Sequence, residues 1–264
     1  MNNMKTLLGT VFSIAVVVSL VSLTTTADQA GKSTPASPKE FRPGKKADIR
    51  VLIVTGADIP SHKWRLTTPV LAAGIDKDPR LAVDVVETPA FLASAKLADY
   101  HVIVMHFMDW KGKPALGDDV RQGLARAVAG GKGLVVVHFA CGAFQGWPEF
   151  SKIAGRAWNP KLRAHDPRGK FRVNITDPNH PITKGLSPFD TTDELYTCLD
   201  GKTPVRVLAS ATSKVDKKDY PMAFILNYGK GRVFHCPLGH DVKAFNEPVC
   251  ELFRRGTAWA ARLD

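Results

Sequence analysis

Residues 49–56 read Ile-Arg-Val-Leu-Ile-Val-Thr-Gly (IRVLIVTG), a β-branched apolar run closed by a glycine. A run with no polar alternation suits a strand covered on both faces, as in a parallel sheet. Three similar runs follow: Leu81–Glu87 (LAVDVVE), His101–His106 (HVIVMH) and Leu134–His138 (LVVVH). Helical patterns separate them. Thr68-Pro69 offers an N-cap and a first-turn proline ahead of Val70, Leu71 and Ile75. Leu92–Leu97 reads as a short helical passage. Asp118–Ala129 places Val120, Leu124, Ala127 and Val128 on one face and stops at Gly130-Gly131. Strands alternating with helices predict an α/β fold, a mostly parallel open sheet with helices on both faces.

The second half is less regular. Trp147–Ala154 reads as a short helix, and Phe171–Thr176 and Val205–Ser210 as strands. Pro221–Tyr228 and Arg232–Cys236, joined through Gly229-Lys230-Gly231, predict an antiparallel hairpin extension. Glu247–Leu263 reads as a closing helix with Val249, Leu252, Phe253 and Trp259 inward.

Upstream, Lys5 precedes an apolar stretch from Leu7 to Leu23 that Gly9, Thr10, Ser13, Ser19 and Ser22 interrupt. Thr25-Thr26-Ala27 supplies small residues for cleavage after Ala27. Residues 1–27 therefore read as a signal peptide, and the mature chain as exported, periplasmic or secreted, with no stable membrane span after cleavage. Residues 28–47 form a basic, proline-containing linker, and residues 48–264 the globular domain. The 264 residues carry 36 Lys+Arg against 25 Asp+Glu, a net charge of +11. Basicity fits polyanions or anionic surfaces, but no aromatic-rich basic stripe or nucleic-acid motif accompanies it, so no nucleic-acid partner is expected. The four cysteines form no CxxC pair, which argues against a cysteine zinc site. Whether the chain forms a homo-oligomer is left open.

Ligands of an open parallel sheet sit beyond the carboxyl ends of its strands. That rule groups His62 and Trp64 after the first strand with His106, Asp109 and Trp110 after the third. It adds His138 after the fourth and His240-Asp241 after the hairpin. His101 begins its strand and belongs to the opposite edge. His165 lies in a polar loop (Arg163–Asp166), and Asp193-Glu194-Leu195-Tyr196 puts two acids beside a tyrosine. Imidazole is the commonest metal ligand and the readiest acid–base group near neutral pH. Cys141, three residues past the strand end and flanked by Ala140 and Gly142, is a second option as a thiol nucleophile.

These landmarks resemble the ThuA-like (trehalose-utilisation) family: VLIVTG at 51–56 with His62 and Trp64, GGKGLVVVHFA at 130–140, and Trp147–Phe150. HPIT at 180–183, DELY at 193–196, GKGRVF at 229–234, LGHD at 238–241, and Gly256 with Trp259 complete the set. The resemblance implies a class I glutamine-amidotransferase-like fold and a role in bacterial sugar utilisation, beside oxidoreductases and proteins acting on 3-keto-sugars. The family usually has no cysteine at the elbow, so Cys141 departs from its pattern. The loop after VVVH, DELY and GHD carry over as site positions. The expected site is then a divalent metal, zinc or manganese, on His138, Glu194 and His240, with no nucleotide cofactor. His62 or His106 would serve as acid–base, and Asp241 would orient His240. Trp64, Asp109, Trp110, His165, Asp193 and Tyr196 would touch a carbohydrate or keto-sugar. The alternatives are a non-catalytic sugar-binding module, with Trp64, Trp110 and Trp147 as stacking faces, and a thiol hydrolase using Cys141.

Overall fold

The computed structural model describes residues 47–263 and the backbone of residues 39–40. The expected signal peptide and most of the expected linker lie outside the described residues. In chain order the elements are β1 (Lys39–Glu40), β2 (Ile49–Val54), α1 (Trp64–Asp76), β3 (Leu81–Val86), β4 (Val102–Met105), α2 (Asp118–Ala129) and β5 (Gly133–Val137). Then come α3 (Pro148–Ile153), β6 (Ala157–Trp158), β7 (Gly169–Ile175), β8 (Phe189–Asp193), β9 (Leu199–Asp200), β10 (Arg206–Thr212), β11 (Asp219–Tyr228), β12 (Gly231–Cys236) and α4 (Glu247–Ala260). Two 3₁₀ turns, Pro89–Ala93 and Ala95–Asp99, fill the expected helical passage between β3 and β4.

One ten-stranded sheet runs β1-β3-β2-β4-β5-β12-β11-β10-β7-β8. The pairings β3-β2, β2-β4, β4-β5 and β5-β12 are parallel. From β12 outward through β11, β10, β7 and β8 every pairing is antiparallel. The extension is therefore longer than the single hairpin read from the sequence. β8 (FDTTD) was missed because its residues are polar, although Phe189, Thr191 and Asp193 are buried in alternation.

Period-2 alternation explains why the core strands are apolar throughout. Val51 and Ile53 of β2, with Val135 and Val137 of β5, face a layer containing Leu71, Ile75, Val249 and Phe253 of α1 and α4. Leu52, Val54, Leu134 and Val136 face the other way, onto Phe91, Leu124, Val128 and Phe150. Each fully buried side chain of this kind is worth about 1.5–3 kcal/mol. Among the described residues no helix is long and apolar enough to cross a membrane.

The first helix starts earlier than its capping signal predicts. Lys63 is the cap, its carbonyl takes the Leu66 and Thr67 N–H groups, and Pro69 lies inside the helix. Proline at that depth removes one backbone bond, to the Arg65 carbonyl, and the rest of the helix proceeds. At the other end of the chain α4 lies flat on β12 because Gly256 has no side chain. A Cβ there would come 2.2 Å from Phe234 Cδ1. Both residues are buried, so neither can yield easily. Gly256→Ala is expected to destabilise the fold by about 1–3 kcal/mol, the usual effect of overpacking, read as a fall in Tm by calorimetry.

Candidate functional site

β2, β4, β5 and β12 all end at one edge of the sheet, and each delivers a histidine there. Gly56 turns the chain out of β2 at φ +107, where a Cβ would lie 2.2 Å from the Glu87 carbonyl oxygen. The loop that follows carries Asp58 and His62. β5 ends more sharply. His138 itself adopts φ +47 and opens the 3₁₀ turn His138–Gly142. A left-handed non-glycine residue at a strand-to-helix turn costs about 1–3 kcal/mol, and such residues gather at functional sites. The elbow of this sheet is therefore a histidine, and the cysteine lies beyond it.

Four donors converge. His62, His138, Glu194 and His240 each offer one ligand atom, all within 4.8 Å of one another. His62 Nε2 is 3.3 Å from His138 Nε2. Glu194 Oε2 is 3.7 Å from His138 Nε2 and 3.2 Å from His240 Nδ1. Tetrahedral ligands at zinc distances are separated by about 3.4 Å, and these three separations bracket that value. His240 Nδ1 is buried and makes no hydrogen bond despite its closeness to Glu194, because it is out of line for one.

The other ring nitrogens are committed. His138 Nδ1 lies 2.9 Å from the Pro237 carbonyl oxygen, which can only accept, so Nδ1 carries the proton and Nε2 a lone pair. His62 Nδ1 is 2.9 Å from Asp58 Oδ1, which also accepts from the Ile59 N–H. His62 Nε2 then faces His138 Nε2 lone pair to lone pair. A cation between them, a proton or a metal ion, makes that approach favourable, and a metal ion there would take the His138 lone pair from the Tyr196 hydroxyl. Tyr196, buried, donates its hydroxyl to His138 Nε2 at 2.9 Å.

Burial pushes His138 well below the usual imidazole range, and His62 adds to the shift. Burial pushes Glu194 up, but His240 and the other imidazoles outweigh it and hold the carboxyl below its usual range. Glu194 in turn raises His240 against the opposing effect of burial. His138 is thus held neutral and Glu194 ionised, the forms a divalent metal binds, while His240 is drawn toward its charged form by Glu194.

Several expected residues take other roles. His106 reaches the same edge but is buried behind α1, with Nδ1 2.9 Å from Thr68 Oγ1 and Nε2 3.4 Å from Thr67 Oγ1. Burial pushes it down to about 4. Asp109 and Asp193 are too buried to meet a substrate. Asp109 Oδ1 accepts the Phe144 N–H at 2.7 Å. Asp193 accepts from the backbone of Gly239 (2.7 Å), Glu194 (2.8 Å) and His240 (3.2 Å), clipping both ligand loops together. Burial pushes it up to about 6. Asp241 does not orient His240. Its carboxylate bonds Arg168 and the N–H groups of Lys243 and Ala244. His165 is half-buried, with Nε2 3.6 Å from Glu194 Oε1. Trp64, half-buried at the start of α1, lies under the Arg65 guanidinium. Trp110, also half-buried, packs 5.5 Å from Phe139, which itself stacks edge-on to His62. Trp147 packs against Phe144.

Asp58 and Trp158 were missed in the sequence. Asp58 is four residues before His62, a spacing that could have signalled an orienting carboxylate. Trp158, half-buried, is 4.9 Å from Phe139 and 5.2 Å from Tyr196, and nothing in its local sequence marks it. Cys141 is fully buried, and burial raises its thiol well above the usual range, the opposite of an activated nucleophile.

The profile of the ThuA trehalose-utilisation family matches residues 50–260. The chain belongs to the ThuA family. This membership ties it to carbohydrate utilisation. Among solved structures, a ThuA-like protein from Parabacteroides merdae is 24% identical with a TM-score of 0.70, over 82% of this chain and 90% of its own. One from Bacteroides uniformis is 19% identical with a TM-score of 0.65, over 83% and 95%. The cytoplasmic protein STM3548 of Salmonella typhimurium is 12% identical with a TM-score of 0.54, over 80% and 99%. At these identities the likeness is one of fold, a mostly parallel sheet with helices and an antiparallel extension. No curated protein matches it.

Two outcomes are expected. His106 and His235 are both pushed down to about 4 from 6.5 by burial. Protons therefore bind the unfolded chain more readily, and stability held above pH 6.5 is lost as pH falls toward 4. Each histidine contributes about 3 kcal/mol at most. His235→Asn should narrow the gap between Tm at neutral and at mildly acidic pH. Iodoacetamide should leave Cys141 unmodified in the native protein and alkylate it in denaturant, as peptide mass spectrometry would read.

Proposed function

We propose that the chain is a metal-dependent enzyme acting on a sugar or 3-keto-sugar glycoside, by hydrolysis, isomerisation or elimination. The carbohydrate class follows from the family. The metal rests on one observation, the 3.3 Å approach of the His62 and His138 Nε2 atoms with Glu194 and His240 beside them. His62, His138, His240 and Glu194 would hold the ion. This extends the three-residue set expected from the sequence and moves His62 from acid–base to ligand. A bound zinc or manganese ion would polarise a sugar carbonyl or acidify a water.

The chain's own residues supply the rest. Asp58 fixes the His62 tautomer and ring orientation, as carboxylates behind metal-bound histidines do. Asp193 holds the two loops that bear Glu194 and His240 in register. Tyr196, buried, holds its hydroxyl on the His138 ring, and half-buried His165 keeps its ring within 3.6 Å of Glu194, so His165 can pass a proton to an oxygen held there. Trp110 and Trp158 offer half-exposed ring surface nearby for the C–H face of a sugar. The same rings would serve a non-catalytic sugar-binding module, which predicts binding without turnover. The N-terminal apolar segment supports action outside the cytoplasm.

Metal analysis of protein purified without chelator or histidine tag tests the reading. About one divalent ion per chain is expected, lost in His138→Ala and His240→Ala but kept in His106→Ala. Metal-free wild type that takes up neither added zinc nor manganese would refute it.

A further inference from the structure

A cavity of about 350 Å³ opens directly on His240, within the usual range for small-molecule sites. It lies between the start of α1 and the loop after β12. Ser61, Lys63, Leu66 and Thr67 line one side, and Asp241, Val242 and Lys243 the other. Its charge is unbalanced. Asp241 is its one acid, and Arg168 already pairs with it. Lys63 and Lys243 form no ion pair among the described residues, and both are exposed. The start of α1 adds to the excess. Its cap residue is Lys63, no side chain caps it, and no acid stands in its first turn. The helix end therefore contributes uncompensated positive potential on the same side. The cavity also has apolar walls. Leu66 and Val242 are 56% and 45% exposed, two of the four large apolar side chains left exposed among the described residues.

A second basic hollow, at the opposite edge of the sheet, differs in this respect. There Lys132 is bonded to the Ala98 and Tyr100 carbonyls and Arg262 to that of Lys230. Its cations are largely occupied by backbone oxygens, whereas those beside His240 are not.

We propose that the substrate is anionic, a sugar acid or sugar phosphate. Its negative group would lie between Lys63 and Lys243, its carbon chain against Leu66 and Val242, and its reacting carbon toward His240. The inference rests on the proposed metal site for where the reacting end lies, but the anion preference stands on the cavity alone. Two positive side chains at a small anion form hydrogen-bonded ion pairs, which a neutral sugar cannot.

Calorimetric titration of the full chain with glucuronate, glucose 6-phosphate and glucose tests it, with metal content measured on the same samples. One of the two anions is expected to bind at least about tenfold more tightly than glucose, and the stronger of the two identifies carboxylate or phosphate. That preference should weaken as salt is raised. It should disappear in the double variant Lys63→Met, Lys243→Met, and in Lys243→Glu alone, with metal content unchanged. Equal affinity for glucose, no binding of either anion, or a preference that survives both variants would overturn the proposal. Anion selectivity in a protein that holds no metal would support the cavity assignment while refuting the metal reading, so the two failures are separable.

Discussion

The turn at His138 is the constraint on which the site depends. β5 lies in the middle of the ten-stranded sheet, and its chain must leave the sheet at once to open the next 3₁₀ turn. A histidine with φ +47 makes that departure. The backbone is strained there, and the surrounding core over-determines it: Val136, Val137, Phe139 and Ala140 are all buried. The strain fixes where the imidazole points. One ring nitrogen is held by the Pro237 carbonyl at the end of the neighbouring strand, and the other is left facing His62, Tyr196 and Glu194. The remaining polar groups of the edge are organised around that single nitrogen.

The parallel half was readable because its strands are buried on both faces and so are written almost wholly in valine, isoleucine and leucine. From those strands, topology alone placed His62, His106, His138 and His240 at one edge. It could not separate them by depth. His106 differs from the others because α1 begins at Trp64, a turn before the Thr68-Pro69 signal, and so puts Thr67 and Thr68 over its ring. The polar strand β8 was invisible to hydropathy, and with it the reason for Asp193, a buried clip on the backbone. Asp109 misled for the same reason. A carboxylate in a loop beyond a strand looks available in the sequence, and only the folded chain shows a backbone N–H already bonded to it. Glu194 was reached through family resemblance, since nothing in its spacing ties it to histidines more than 45 residues away on either side.

Electrostatics divides the edge into two regions. Around His138 the groups are buried and closely packed, and burial keeps the imidazole neutral. Around His240 the surface opens, and uncommitted lysines dominate. The low-dielectric part strengthens each short contact, while the open part supplies a longer-range field. His240 belongs to both, paired with Glu194 inward and lining the cavity outward.

Asp193 also ties the site to the far edge of the sheet. The donors at the edge come from both halves of the sheet: His62 and His138 from the parallel block, Glu194 from the end of β8, and His240 from the end of β12. β8 is the outermost strand of the antiparallel extension and, among the described residues, pairs only with β7. The Asp193 carboxylate at its end joins its own loop to the backbone of Gly239 and His240 across 46 residues of chain. The constellation therefore needs the sheet edge in place as well as the parallel block. A chain locally opened at the β8 edge would keep its histidines but lose Glu194 from beside them.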